Sequence, residues 1–253
     1  MRSWLVAAGC AAAMVWGAPA ARAESPWYIS GSAGGVFVQD FADGTTFSKT
    51  IPILAPQLRQ TMAGNNIVVV AHPPTFVTVP VTARGTQRLS YSPGAAAYLA
   101  IGYHVSSHIR LEGEVGYAHF SVSTLRPSSA STYFTRLNGQ TFEHQSGAAV
   151  DRISWTLNAF YDFPTLASRF SPYLGLGLGG LENHRTTGRF VDAVGTTFTS
   201  NGGWVVGTEA LLEAGVGIRV ARRWMVSPAY RYDHLLPSGQ DAHLVKVGAR
   251  YLF

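Results

Sequence analysis

Eleven charged residues recur at alternate positions in otherwise apolar stretches, and this spacing is the sequence feature with the clearest chemical content. Arg110, Glu112 and Glu114 form one such run; Glu209, Glu213 and Arg219 form a second; Lys246 and Arg250 a third; Arg152, Asp162 and Arg231 complete the set. In an extended chain successive side chains point to opposite faces, so a period of two gathers these ions on one side. Gathered ions either neutralise one another or line a path for solutes. Other motifs have the form of a site without its context. Gly175-x-Gly177-x-x-Gly180 matches a dinucleotide fingerprint, but it falls within a strand pattern and no helix follows to receive a pyrophosphate. His104 and His108 have the i, i+4 spacing of metal ligands, yet Val105-Ser106-Ser107 between them reads as a turn, so no metal site is expected. Ser227 and Ser238 flank His234 without a nucleophile elbow.

These residues need extended elements to position them, and the composition favours such elements. Only 13% of the 253 residues are charged, 47% are apolar and 12% aromatic, which excludes a disordered chain. Beyond the N-terminus no run of 18 apolar residues occurs, and 27 glycines disfavour long helices, so a helical membrane bundle is excluded. Residues 1–23 read as a cleaved secretory signal: Arg2 is basic, residues 4–18 are apolar, and Ala21-Arg22-Ala23 is a small-x-small cleavage site. Cys10 lies inside the apolar segment and lacks the surroundings of a lipoprotein site. Removing that segment takes away Cys10, Arg2 and Arg22, so the mature 24–253 domain has no cysteine, 17 basic and 14 acidic residues. A net charge of +3 does not argue for nucleic acid, and no disulfide framework can form.

Eight segments alternate with a period of two: 27–38, 94–104, 109–122, 151–163, 170–182, 204–220, 224–232 and 242–253. In the last, Val245, Val247, Ala249, Tyr251 and Phe253 face one way, while Lys246, Gly248 and Arg250 face the other. Aromatics on the apolar face cluster at the segment ends. One ring comprises Trp27, Tyr103, Tyr161, Phe163, Phe170, Trp224, Tyr251 and Phe253; a second comprises Phe37, Tyr117, Trp155, Trp204, Tyr230 and Tyr232. Two aromatic girdles suit the two interfaces of a membrane, where amphipathic rings reside. Connections of 39–93, 123–149, 183–203 and 233–241 alternate with the short ones 105–108, 164–169 and 221–223. The pattern predicts an all-β fold: a transmembrane antiparallel up-and-down β-barrel of eight strands, with long extracellular loops and short periplasmic turns. A count of ten stays open because Ile67 to Val81 is itself extended, and Pro228 predicts a bulge in the seventh strand.

Several segments sharpen this expectation: Trp27-Tyr28-Ile29-Ser30-Gly31, Arg110 to Tyr117, Asn158 to Phe163, Pro172 to Gly179 and Tyr230-Arg231-Tyr232. Together they resemble the eight-stranded outer-membrane barrels of opacity-type surface antigens and small porin-like proteins. Tyr251 and Phe253 are similar to the C-terminal signal by which such barrels reach their insertion machinery. The resemblance implies location in the outer membrane, a monomeric state and no cofactor.

A bore of eight strands has room only for its own side chains, so six positive and five negative residues should interlock rather than line a channel. The expected function is that of a non-enzymatic surface protein, structural or antigenic, with adhesion through its loops as a family analogy. A small porin passing ions or solutes is the alternative; a lipid A-modifying enzyme built on His234 with Ser227 or Ser238 ranks last. The loops are mildly basic. Lys49, Arg59, Arg84 and Arg88 outnumber Asp40 and Asp43; Arg126 and Arg136 outnumber Glu143; Arg185 and Arg189 outnumber Asp192. Such charges would suit lipopolysaccharide phosphates.

Overall fold

The computed structural model describes residues 25–63, 66–129, 138–164, 169–195, 197–236 and 238–253, and of residues 43–83 it describes the backbone. The signal reading, with Ala21, Ala23 and Cys10, lies outside the described residues. Twelve strands occur among those described. They are β1 (Trp27–Val38), β2 (Phe41–Ala63), β3 (Asn66–His104), β4 (Ile109–Ser129), β5 (Phe142–Gly147) and β6 (Ala149–Asp162). Then follow β7 (Phe170–Arg185), β8 (Gly188–Val191), β9 (Thr197–Ser200), β10 (Gly203–Arg219), β11 (Trp224–Leu236) and β12 (Gln240–Leu252).

Eight of these strands close into an antiparallel ring. Its order is β1, the last third of β3, β4, β6, β7, β10, β11 and β12, and β12 returns to β1 from Tyr28↔Leu252 to Val38↔Ala242. Closure leaves no free edge, which lets a sheet pair all its backbone groups in hydrocarbon. Period-two patterning becomes an inside and an outside. On β4, Arg110, Glu112, Glu114, Ala118 and Phe120 are buried, while Leu111, Val115 and Tyr117 are exposed. Large apolar side chains such as Leu99 (68% exposed) and Leu157 (61%) cover the outer wall. A soluble domain would place these residues in a core.

Glycines let bulky side chains fill the bore. A Cβ on Gly102 would stand 2.0 Å from the Tyr28 ring, and one on Gly175 would stand 2.2 Å from the Phe160 ring. Each pair therefore works as a joint between hydrogen-bonded strands, with a ring on one occupying the space left by its neighbour.

The additional strands all lie at the loop end. β2 pairs with the first part of β3 as a hairpin from Phe41↔Leu89 to Ala63↔Asn66, so Ile67 to Val81 adds an arm and not two barrel strands. β4 rises beyond the ring to pair Ser129 with Gly85, past two register shifts in the β3–β4 ladder. β5, β8 and β9 extend the same side, with Leu89, Val122, Leu125, Phe142 and Phe190 packed together there. The opposite side is low. β11 and β12 are longer than their alternation suggests: Leu235 pairs with Gln240, and Gly239, at φ +72°, donates its amide to the Leu235 carbonyl at 2.8 Å. The nine-residue fourth loop is thus corrected to a tight turn.

Pro228 needs no bulge. Val226↔Ile218 and Ala229↔Gly215 keep one register on the β10 side, and Pro228↔Val247 is in step on the β12 side. Pairing lapses where the ring nitrogen has no proton to donate, and no extra residue is inserted.

Candidate functional site

The bore holds the ionic cluster. Near the short-turn end, Arg110 pairs with Glu112 and donates from Nε to Asp162 at 3.1 Å, while the Tyr28 hydroxyl donates to Glu112 at 2.6 Å. The Arg110 guanidinium also lies 3.8 Å over the Phe160 ring. Arg250 approaches Glu112 at 3.9 Å and sits over Tyr28. Deeper in, Lys246 reaches Glu213 at 2.7 Å and Glu114 at 3.6 Å, and the Tyr173 hydroxyl donates to Glu213 at 3.0 Å. Arg231 is the hub. Fully buried, it pairs with Glu114, donates from Nε to Asp233 at 2.6 Å, and lies 3.6 Å from Glu209. Arg152, higher on β6, donates to Asn183 at 2.9 Å and covers the Phe120 ring.

Two assignments differ from the sequence expectation. Arg219 is exposed at the short-turn end of β10, because the strand stops there and its last side chain leaves the bore for water. Asp233 is buried in the bore; it was missed because β11 was expected to end at Tyr232. Its signal was available, since it stands two residues beyond Arg231 and shares that face. The described bore thus carries five cations (Arg110, Arg152, Arg231, Lys246 and Arg250) and six carboxylates (Glu112, Glu114, Asp162, Glu209, Glu213 and Asp233).

Apolar side chains pack among the loop-end ions: Val36, Val38, Ala96, Tyr98, Ala118, Phe120, Val150, Ala242 and Leu244 form one cluster, with Arg231 over the Tyr98 ring and Arg152 over the Phe120 ring. Among the ions, a cavity bordered by Ser227, Arg110, Lys246 and Arg250 has a volume of about 40 Å³, the space of a few water molecules.

On the outside, the first aromatic set lies at the short-turn end. Trp27 packs on Tyr103, Tyr161 on Phe163, and Tyr251 lies between Trp224 and Phe253. Phe170 is exposed beside them on β7. Of the second set, Phe37, Tyr117, Trp155, Trp204 and Tyr230 are each about half exposed or more, and Tyr232 is half-buried. Above and among the second set runs a polar belt with no counterpart in the sequence expectation. Tyr117 and His119 both bond Asp151 (2.6 and 2.8 Å), and Tyr232 and His234 both bond Asp241 (2.6 and 2.7 Å). His243 joins Tyr230 to Gln39, and His184 stacks on Trp204.

The remaining motifs are kept apart. Gly175, Gly177 and Gly180 lie mid-strand in β7 against Phe160, Asn158 and Trp155. His104 ends β3 and His108 sits in the following turn, stacked on Tyr161. Ser227 is buried inside the bore, whereas His234 faces outward at the other end of β11 and Ser238 accepts from the Gln240 amide in the turn. Of the loop cations, Arg88 lies 3.8 Å from Asp40, Arg126 donates to Thr141, Arg185 to Asn201 O and Arg189 to Thr197. Glu143 is exposed on β5, and Arg84 is exposed on β3. Arg136 lies outside the described residues, as do the side chains of Lys49, Arg59 and Asp43.

Residues 7–253 match the family described as the outer membrane protein beta-barrel domain. Solved structures similar to the chain include Neisserial surface protein A (15% identity, 92% of this chain and 100% of that chain covered, TM-score 0.42). The N-terminal β-barrel domain of Pseudomonas aeruginosa OprF follows at 13% identity, covering 91% and 99%, with TM-score 0.39. Ail, the attachment invasion locus protein of Yersinia pestis, solved with the heparin analogue sucrose octasulfate, is 13% identical over 90% and 99%, with TM-score 0.36. No curated protein sequence matches the chain.

Proposed function

Since the chain belongs to the outer-membrane β-barrel domain family, we propose that it serves as a closed, non-enzymatic surface barrel whose contacts are made by its loop-end sheets. One observation carries this reading: Arg231, with no exposed surface, is tied across the bore to Glu114 of β4 and Glu209 of β10 and along its own strand to Asp233, amid packed apolar side chains. An ion crossing the barrel would have to break those pairs and wet the apolar side chains packed among them, and each costs several kcal/mol. A transport role has no comparable support.

The loop cations Arg88, Arg126, Arg185 and Arg189 would meet phosphates of outer-leaflet lipopolysaccharide, and the raised β2–β5 and β8–β9 sheets would meet any extracellular ligand. Tyr251 and Phe253 would be presented to the insertion machinery before folding, and the barrel would work as a monomer. An enzymatic role on lipid finds little support where Ser227 and His234 occupy opposite faces of β11.

Planar-bilayer recording tests the reading. The purified folded protein should leave the membrane silent; steady, ion-selective openings from pure protein would overturn it in favour of a small pore.

A further inference from the structure

The outer wall is not uniform, and one part of it is shaped. Across β4, β6, β7 and β10 the register aligns outward-facing side chains in rows. The uppermost is His119–Asp151–His184–Trp204, the next Tyr117–Ile153–Glu182–Val206, and the third Val115–Trp155–Gly180–Thr208. In the third row Gly180 has no side chain and is buried beneath the Trp155 indole, which leans across to it: a Cβ there would lie 2.5 Å from the ring. Trp155, Leu178, Val206 and Thr208 border a trough of about 570 Å³ beside that indole. This volume lies within the roughly 300–1,000 Å³ of ordinary small-molecule sites, and its lining is mostly apolar.

The polar rows stand immediately on the loop-end side. Trp204 is 64% exposed, with one partner, His184, stacked at 4.2 Å. Asp151 and Glu182 provide two carboxylates on the same outer surface, on adjacent strands in successive rows. Arg185, next along β7, donates to Asn201 O. Two carboxylates flanked by imidazoles repel a phosphate but accept hydroxyl donors well, and an open indole face offers a platform for the C–H faces of a sugar ring. The apolar trough directly below would take the chain attached to that sugar.

We propose that this wall of β4, β6, β7 and β10 is a binding site for an acylated saccharide of the outer leaflet, with the acyl chain in the trough beside the Trp155 indole and a sugar ring against Trp204, Asp151 and Glu182. The inference rests on the surface-barrel reading proposed above and adds a defined lipid class and position to it. It differs from the loop arginines in reading the sugar and its chain, not the phosphate.

The test uses the full folded barrel in an amine-oxide detergent, without sugar headgroups. Native mass spectrometry measures retention of a dephosphorylated acylated glucosamine disaccharide, its bis-phosphorylated form and phosphatidylglycerol. Both saccharides should be retained at about tenfold lower concentration than phosphatidylglycerol, a difference of about 1.4 kcal/mol. Thr208→Trp, which fills the trough, and Trp204→Ala, which removes the platform, should each abolish the preference; Val247→Trp on the opposite wall should keep it. Equal retention of all three lipids, dependence on the phosphates, or a preference surviving both variants would overturn the site. Gel mobility with and without boiling accompanies each variant, so a folding defect is read separately. Wild-type protein that fails to enter lipid bilayers would count against the membrane location itself, not against this wall.

Discussion

Glu114 is the residue on which most of the bore depends, because it accepts from Arg231, approaches Lys246 at 3.6 Å and lies 3.4 Å from the Thr156 hydroxyl. Removing one member of a buried ion pair is worse than never having the pair, since the surviving charge keeps its desolvation cost and loses its partner. Glu114→Ala should therefore destabilise the barrel by about 3–5 kcal/mol. Glu213→Ala frees Lys246 from one of two carboxylates and Tyr173 from its acceptor, and should cost less, about 1–3 kcal/mol. Heat unfolding in detergent, followed by gel mobility, ranks the two; profiles unchanged from wild type would refute the interlocked bore. At this scale the sequence was readable wherever a charge stood inside a strand. It misled at Arg219 and Asp233, where facing was clear but the strand end was not. Strand ends depend on where the neighbouring strand stops pairing, which is not a local property.

The joint between Gly175 and Phe160 belongs to neighbouring strands, β7 and β6, held in register from Val150↔Arg185 to Asp162↔Tyr173. The Phe160 ring cannot easily yield, with the Arg110 guanidinium over it and Tyr173 against its edge. Gly175→Ala should cost about 1–3 kcal/mol through overpacking, and Phe160→Ala added to it should recover part of that loss because it vacates the contested space. Urea midpoints of the single and double variants decide this; additive losses would show that the two residues act separately. Eight ring strands were legible because alternation survives wherever one face meets lipid and the other a packed bore. The polar belt of His119, Asp151, His234 and Asp241 was not legible. Its members come from four different strands and meet only once the registers are set.

For the whole molecule, ring closure and loop-end extension are separable. On β3 the pairing with β1 lies at or beyond Gly94 and the pairing with β4 at or beyond Gly85, whereas before Gly85 the strand pairs with β2 alone. Deleting residues 43–84 and joining the ends with a short glycine-rich turn should leave the heat-modifiable gel mobility intact; a variant that runs as unfolded with or without boiling would show that the arm is needed for closure. The arm was the part least readable in advance, because extended residues outside a barrel alternate much as those inside do. The loop end is also uneven, raised over β3 and β4, where Gly85 pairs Ser129, and cut short at the tight turn between β11 and β12. A large visitor approaching the cell, such as an antibody or a phage tail, would accordingly touch down off-centre and tilt about the tall flank. The low flank would stay in the shade of the surrounding sugar coat, open to small molecules and to little else.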